Sequence, residues 1–215
     1  MTRRGKHYSR KRRSILGRVI GLVLLVVLVY TVVLVASGFV IFQQYQKADA
    51  AFDRCEENLR SLKIAEAHTD AEEAAGYLAI INGEFKRPQW EIARGLPVIG
   101  VDARILSDIC DIAGDLVDGA YLPVLDAAGD VTEGIGGLNI LGTITAAPGA
   151  VAALRDAADV VSDCDARAAA LPEAHLDFVN DATEELRRQT SQSADLLSSV
   201  DSALDVADVV KGIIT

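Results

Sequence analysis

The sequence predicts an all-α protein: a single N-terminal transmembrane helix followed by an extracytoplasmic antiparallel helical bundle. Three observations lead there. Residues 19–42, VIGLVLLVVLVYTVVLVASGFVIF, carry no charged side chain. Beyond them, apolar residues recur at steps of three and four in four successive segments, the spacing of one face of a helix. Aromatic residues make up only 5% of the chain, while Ala, Leu, Val and Asp abound, a composition suited to packing helix on helix.

The uncharged run comes first. At ~1.5 Å per residue, 24 helical residues reach about 36 Å, enough to cross a hydrocarbon layer of about 30 Å with some tilt. Only a helix or a closed barrel satisfies its own backbone there. Residues 1–18 hold Arg3, Arg4, Lys6, Arg10, Lys11, Arg12, Arg13 and Arg18 and no acid. Positive charge beside a span stays in the cytoplasm, so these eight residues are topogenic, and everything from Gln43 onward faces out. All 31 acids follow the span with the other 13 of the 21 bases, so the net −10 divides into +8 inside and −18 outside. Residues 1–18 thus form a cytoplasmic basic tail, residues 19–42 a span and residues 43–215 the external bundle.

Two other readings of this region are weaker. A cleavable signal peptide has an apolar core of only ~7–15 residues, and here the run continues past Ala36-Ser37-Gly38. The basic RRGKHYSRKRR also fits a nucleic-acid patch, but beside so long an apolar run it reads as topogenic, with lipid rather than nucleic acid as partner. Gly17 and Gly21 form a GxxxG pair interrupted by Arg18, a poor helix-dimer signal.

The first helix after the span is expected to run from Gln43 to about Asn82 as a continuous stalk. Its apolar row is Phe52, Cys55, Leu59, Leu62, Ala71, Ala74, Leu78 and Ile81, and Asn82-Gly83 ends it. Pro88, Gly95, Pro97 and Gly100 then forbid a long helix over residues 85–100. A second helix begins near Asp102 with Ile105, Ile109, Ile112 and Leu116 inward and Asp108, Asp111, Asp115 and Asp118 outward. Residues 123–148 show no period and read as a connector with one short helical turn. A third helix covers residues 149–171, with its row at Val151, Leu154, Ala158, Val161, Cys164, Ala168 and Leu171. The fourth runs from Pro172 to about Lys211 on Val179, Ala182, Leu186, Ser193, Leu197, Val200, Leu204 and Ala207. Four such stripes bury only against one another, with packing like that of coiled coils. The apolar, uncapped GIIT ending suggests a truncated chain with a C-terminal domain missing.

No catalytic, cofactor-binding or metal-binding set emerges. The Asp row lacks the EF-hand order and, on a regular helix, spreads its carboxylates too far for an oxygen cage, so it reads as a solvated face. Gly134, Gly136, Gly137 and Gly142 lack the Lys and the Ser or Thr that complete a phosphate loop. His7, His68 and His175 have no HExxH spacing, and there is no G-x-S-x-G elbow. Cys55, Cys110 and Cys164 all lie outside, where one disulfide between an undetermined pair competes with three buried thiols. Trp90, in the Pro/Gly-rich turn, is expected to plug the open end of the bundle.

A basic tail, one span, an Ala-rich helix and then Trp90, Leu96, Pro97, Gly100 and Asp102 resemble a family of actinobacterial membrane-anchored surface proteins, domain of unknown function 4012, in its N-terminal part. The W-x5-LP-x2-G segment is the specific portion of the likeness, with Trp90, Leu96, Pro97 and Gly100 as a candidate structural turn. The resemblance implies a cell-envelope location, longer relatives with an α/β portion, and no catalytic residues to carry over. The chain is therefore expected to be a single-pass plasma-membrane protein. Its helical part would be a non-catalytic scaffold or interaction module, with the lipid bilayer, other envelope proteins or a missing C-terminal domain as partners. The alternatives are a chemoreceptor-like sensory ectodomain, or the N-terminal part of an envelope enzyme acting on glycans.

Overall fold

A computed structural model describes residues 10–97, 99–134 and 148–214, with side-chain surroundings over 20–97, 99–129 and 149–199. Among the described residues there is no strand, so the protein is all-α as expected. The chain divides into two compact units, Met1–Val40 and Ile41–Thr215.

Helix α1 (Arg10–Arg60) supplies the first unit and, through residues 41–60, the first element of the second. From Ile20 to Val35 its side chains are mostly Leu and Val and mostly exposed, and Ser37 beyond them is buried. Thr31, near mid-run, donates its hydroxyl to the Val27 carbonyl at 2.9 Å. That bond satisfies a polar group on an otherwise apolar stretch.

The expected stalk from Gln43 to Asn82 is in fact two helices. α1 stops at Arg60 and α2 (Ile64–Phe85) returns antiparallel to it. The Lys63 N–H bonds the Asn58 carbonyl at 2.8 Å and the Leu62 N–H bonds that of Leu59 at 3.0 Å. This pattern is a Schellman motif with Leu62 in the left-handed position, at φ 58°. Glycine is the usual signal for that position, and its replacement by an exposed leucine disguised the turn as one more apolar step. Across the hairpin Arg54 pairs with Asp70 at 2.9 Å and with Glu73, and Asn58 donates to Asp70 at 2.8 Å. The Lys47 ammonium lies 5.6 Å from the Tyr77 ring centre.

The Pro/Gly-rich stretch forms the short helix α3 (Pro88–Arg94), with Pro88 at its first turn, where a missing N–H costs nothing. Helix α4 (Ile99–Leu116) follows, beginning three residues earlier than expected. It does not end there. A π-helical turn (Val117–Tyr121) leads directly into α5 (Leu122–Gly134), so residues 123–134, read as a connector, are helical. Pro123 explains the turn. Its ring cannot donate to a carbonyl one turn back and would clash with it, and a widened turn avoids both problems. The Leu122 N–H accordingly reaches five residues back to Val117. The rest of the connector, including Gly136, Gly137 and Gly142, lies outside the described residues. Helices α6 (Pro148–Ala169) and α7 (Asp177–Ile214) complete the unit as a hairpin.

Buried positions follow a seven-residue repeat. They are Ala67, Ala71, Ala74, Leu78, Ile81 and Phe85 on α2, Ala157, Val161, Cys164, Ala168 and Leu171 along and just past α6, and Val179, Thr183, Leu186 and Thr190 on α7. Such a repeat keeps one seam of each helix on its neighbour. The many alanines allow close backbones, and Gly119 does the same for the π turn. A Cβ at Gly119 would stand 3.0 Å from a methyl of Val160. Two rows differ from expectation. Ala157 is buried in place of Ala158, and α7 buries Thr183 and Thr190 where Ala182 and Ser193 were expected. The threonines go inside because their hydroxyls are satisfied. Thr183 donates to Val179 at 2.8 Å and Thr190 to Asp165 at 2.9 Å.

Candidate membrane anchor and the base of the bundle

Two regions carry unusual chemistry. The first is the apolar part of α1, whose most apolar stretch has a mean hydropathy of 2.9 and is only 6% buried. A helix whose Leu and Val side chains from Ile20 to Val35 are mostly exposed has no reason to stay so in water, where apolar area is driven under cover at roughly 25 cal/mol per Å². Of the topogenic residues, Arg3, Arg4 and Lys6 lie outside the described residues. Arg10, Lys11, Arg12, Arg13 and Arg18 are on the first turns of α1.

The second region is the end of the bundle where α2 gives way to α3 and α6 to α7. Here the structure brings the candidate turn residues together. Trp90 tilts onto Phe85 with ring centres 4.9 Å apart, and both join the apolar cluster of Leu78, Ile81 and Val117. A Cβ on Gly100 would lie 2.4 Å from the Arg94 carbonyl oxygen, so only glycine lets α4 start against the end of α3. Arg94 fastens the corner by donating to the Phe85 carbonyl at 3.1 Å and to the Ser107 hydroxyl at 3.0 Å. Leu96 and Pro97 are exposed.

The sequence singled out Asp102 as a helix start and as part of the family likeness, yet this carboxylate is buried and central. Its Oδ1 accepts the His175 backbone N–H at 2.6 Å, tying the turn between α6 and α7 to the start of α4, and the His175 ring nitrogen Nδ1 lies 3.8 Å away. Asn180 holds the same turn through both its amide atoms, bonding Ala174 N at 2.8 Å and Ala174 O at 3.1 Å. Arg187 caps the end of α6, donating to the Ala168 and Leu171 carbonyls at 2.9 and 2.6 Å. No sequence motif announces this group. Its one signal was an Asp at a helix start followed, 73 residues later, by a polar turn.

The acidic row on α4 and the π turn stands at the surface, with Asp111, Asp115 and Asp118 along an open groove of about 330 Å³ beside Asn82 and Lys86 of α2. Arg167 neutralises part of it by pairing with Asp115 at 2.6 Å. Among the described residues no three His, Cys, Asp or Glu side chains converge as a metal site. Burial and the neighbouring Asp111 raise Asp108 above the usual carboxylate range.

The three cysteines are free thiols in three different apolar settings. Cys55 packs with Ala67, Ala71 and Leu125, Cys110 against the Phe85 cluster, and Cys164 with Ile112 and Val161. Burial, reinforced by Asp111, pushes the Cys110 thiol up to about 12 from an ordinary 9.0. The stability this thiol contributes is whole below pH 9 and is lost as the pH rises toward 12. Between pH 8.5 and 11 the native chain should therefore lose about 2 kcal/mol relative to Cys110→Ala, measured by denaturant unfolding of both at each pH. Parallel pH curves for the two proteins would contradict the assignment.

Fold and anchor together define a helical protein with, among the described residues, one helix long and apolar enough to cross a membrane. No family model matches the chain, and no curated protein or solved structure is significantly similar to it.

Proposed function

We propose that the chain is a single-pass plasma-membrane protein of the bacterial cell envelope, with its N-terminus in the cytoplasm. Its helical bundle acts outside as a non-catalytic scaffold or interaction module. The observation that carries this reading is the largely exposed, uncharged surface of α1, an arrangement that a lipid environment stabilises. The orientation follows from the eight basic residues before the run and the absence of acids among them. The bundle supports the scaffold role through its construction: side chains capable of chemistry, such as Asp102, Asn180, Arg94 and Arg187, are engaged in holding helix ends and turns. The likeness of the Trp90–Asp102 segment to envelope proteins of domain of unknown function 4012 agrees with that location. Protease added to intact, wall-stripped cells should degrade the large acidic portion and leave a membrane fragment that resists alkaline extraction. A bundle protected until the cells are lysed would reverse the orientation.

A further inference from the structure

We infer that the base of the bundle rests in the lipid headgroup layer, as an interfacial contact additional to the anchor; this rests on the membrane reading above. Five large apolar side chains are exposed at that base. Ile92 is on α3, Leu96 and Ile99 lie between α3 and the first turn of α4, and Leu176 and Phe178 bracket the start of α7. Ile92 and Phe178 are 57% and 59% exposed, far more than packing within the bundle requires. The bond from His175 N to Asp102 and the contact of Gly100 with Arg94 bring the three segments to one end of the unit.

The lipid surface is singled out as occupant by where the chain enters. The α1–α2 register, set by Arg54 on Asp70 and Lys47 over Tyr77, puts Ile41 level with the last turn of α2. Ile41 indeed packs on the cluster that holds Phe85 and Trp90. Ile41 and Phe42 are also the last residues of the uncharged run. The exposed patch thus shares an end of the bundle with the point at which the chain leaves the hydrocarbon. An aromatic and aliphatic rim at that level matches the interfacial belts of membrane proteins. The charges around it are mixed, Lys86 and Arg87 against Glu91, Glu173 and Asp177, so the contact is apolar and needs no anionic lipid.

The test uses the full chain in single-copy nanodiscs of phosphatidylcholine, with Trp90, the only tryptophan, as reporter. A second reporter, Phe178→Trp in a Trp90→Phe background, sets the indole in the patch itself. Lipid brominated near the headgroup should quench most of the emission from both, at low and high salt. Ile92→Ser with Phe178→Ser should restore Trp90 emission while the helical circular dichroism stays unchanged. Chains that resist alkaline extraction but show no quenching in either reporter would overturn the interfacial contact and leave the anchor standing. Chains that fail to integrate would overturn both. Quenching that survives the serine pair would take the role from this patch. A response only when two copies share a disc would assign the surface to a second copy instead.

Discussion

Phe85→Ala is expected to destabilise the bundle by about 3–5 kcal/mol, the usual result of emptying a buried phenylalanine site. Phe85 is 2% exposed and joins three parts of the fold: the end of α2, Trp90 on α3, and Val117 at the π turn. Its backbone carbonyl also receives Arg94, which continues to Ser107 on α4. The cavity left by alanine cannot collapse easily. Gly100 already sits against the Arg94 carbonyl, and no closer approach of α3 to α4 remains. Denaturant unfolding in mild detergent, followed by circular dichroism and by Trp90 emission, reads the effect. The two signals should shift together, with Trp90 already red-shifted in the folded variant. Phe178→Ala is the matched control: Phe178 is exposed, so its loss should change stability by less than about 0.5 kcal/mol. Equal effects at the two positions would refute the core placement of Phe85.

Most of the interior was legible in the sequence because it obeys one rule. Ala71, Ala74, Leu78 and Ile81, then Ile105, Ile112 and Leu116, then Val161, Cys164, Ala168 and Leu171 fall at helical spacing, and each is buried. Apolar periodicity reports burial directly, and it predicted both the helices and their inner faces. It failed where a local bond outweighed a side chain's usual preference. Leu62 occupies a left-handed position without being glycine, because two backbone bonds and the Arg54–Asp70–Asn58 contacts hold the turn around it. A nine-residue gap in the apolar row between Leu62 and Ala71 was the available warning.

Proline misled in the opposite direction. Pro88 did open a short helix, but Pro123 widened a helix into a π turn where a break was expected. Position relative to the preceding hydrogen bonds decides between these outcomes, and spacing alone does not carry that information. The polar interior was least legible. Thr183 and Thr190 are inside because their hydroxyls find partners, and Asp102 is held inside through one oxygen, Oδ1; two of those partners, His175 N and Asp165, come from other helices or turns. Such pairings exist only once the tertiary fold is assembled.

Replacing Leu25, Leu28 and Val32 together by arginine should remove the protein from the membrane. The three side chains are exposed on α1 near the middle of the uncharged run, so no packing inside the protein is disturbed. Insertion of the native run is driven by 18 Leu, Ile, Val and Phe side chains. At roughly −0.3 to −0.6 kcal/mol each, they supply about −5 to −11 kcal/mol. Arginine at a helix centre costs about 2.5–3.5 kcal/mol. Three of them offset most or all of the drive, and the three lost apolar residues tip the balance further. Snorkelling relieves charges near the span ends but not three at mid-depth. Alkaline extraction should find the native chain in the membrane pellet and the variant in the supernatant or degraded. The same substitutions leave the bundle core untouched, so solubilised variant should keep its helical signal from residues 41–214. A variant still integrated in the bilayer would mean that α1 is held by something other than its own apolar surface, and both the anchor and the interfacial contact would lose their physical basis.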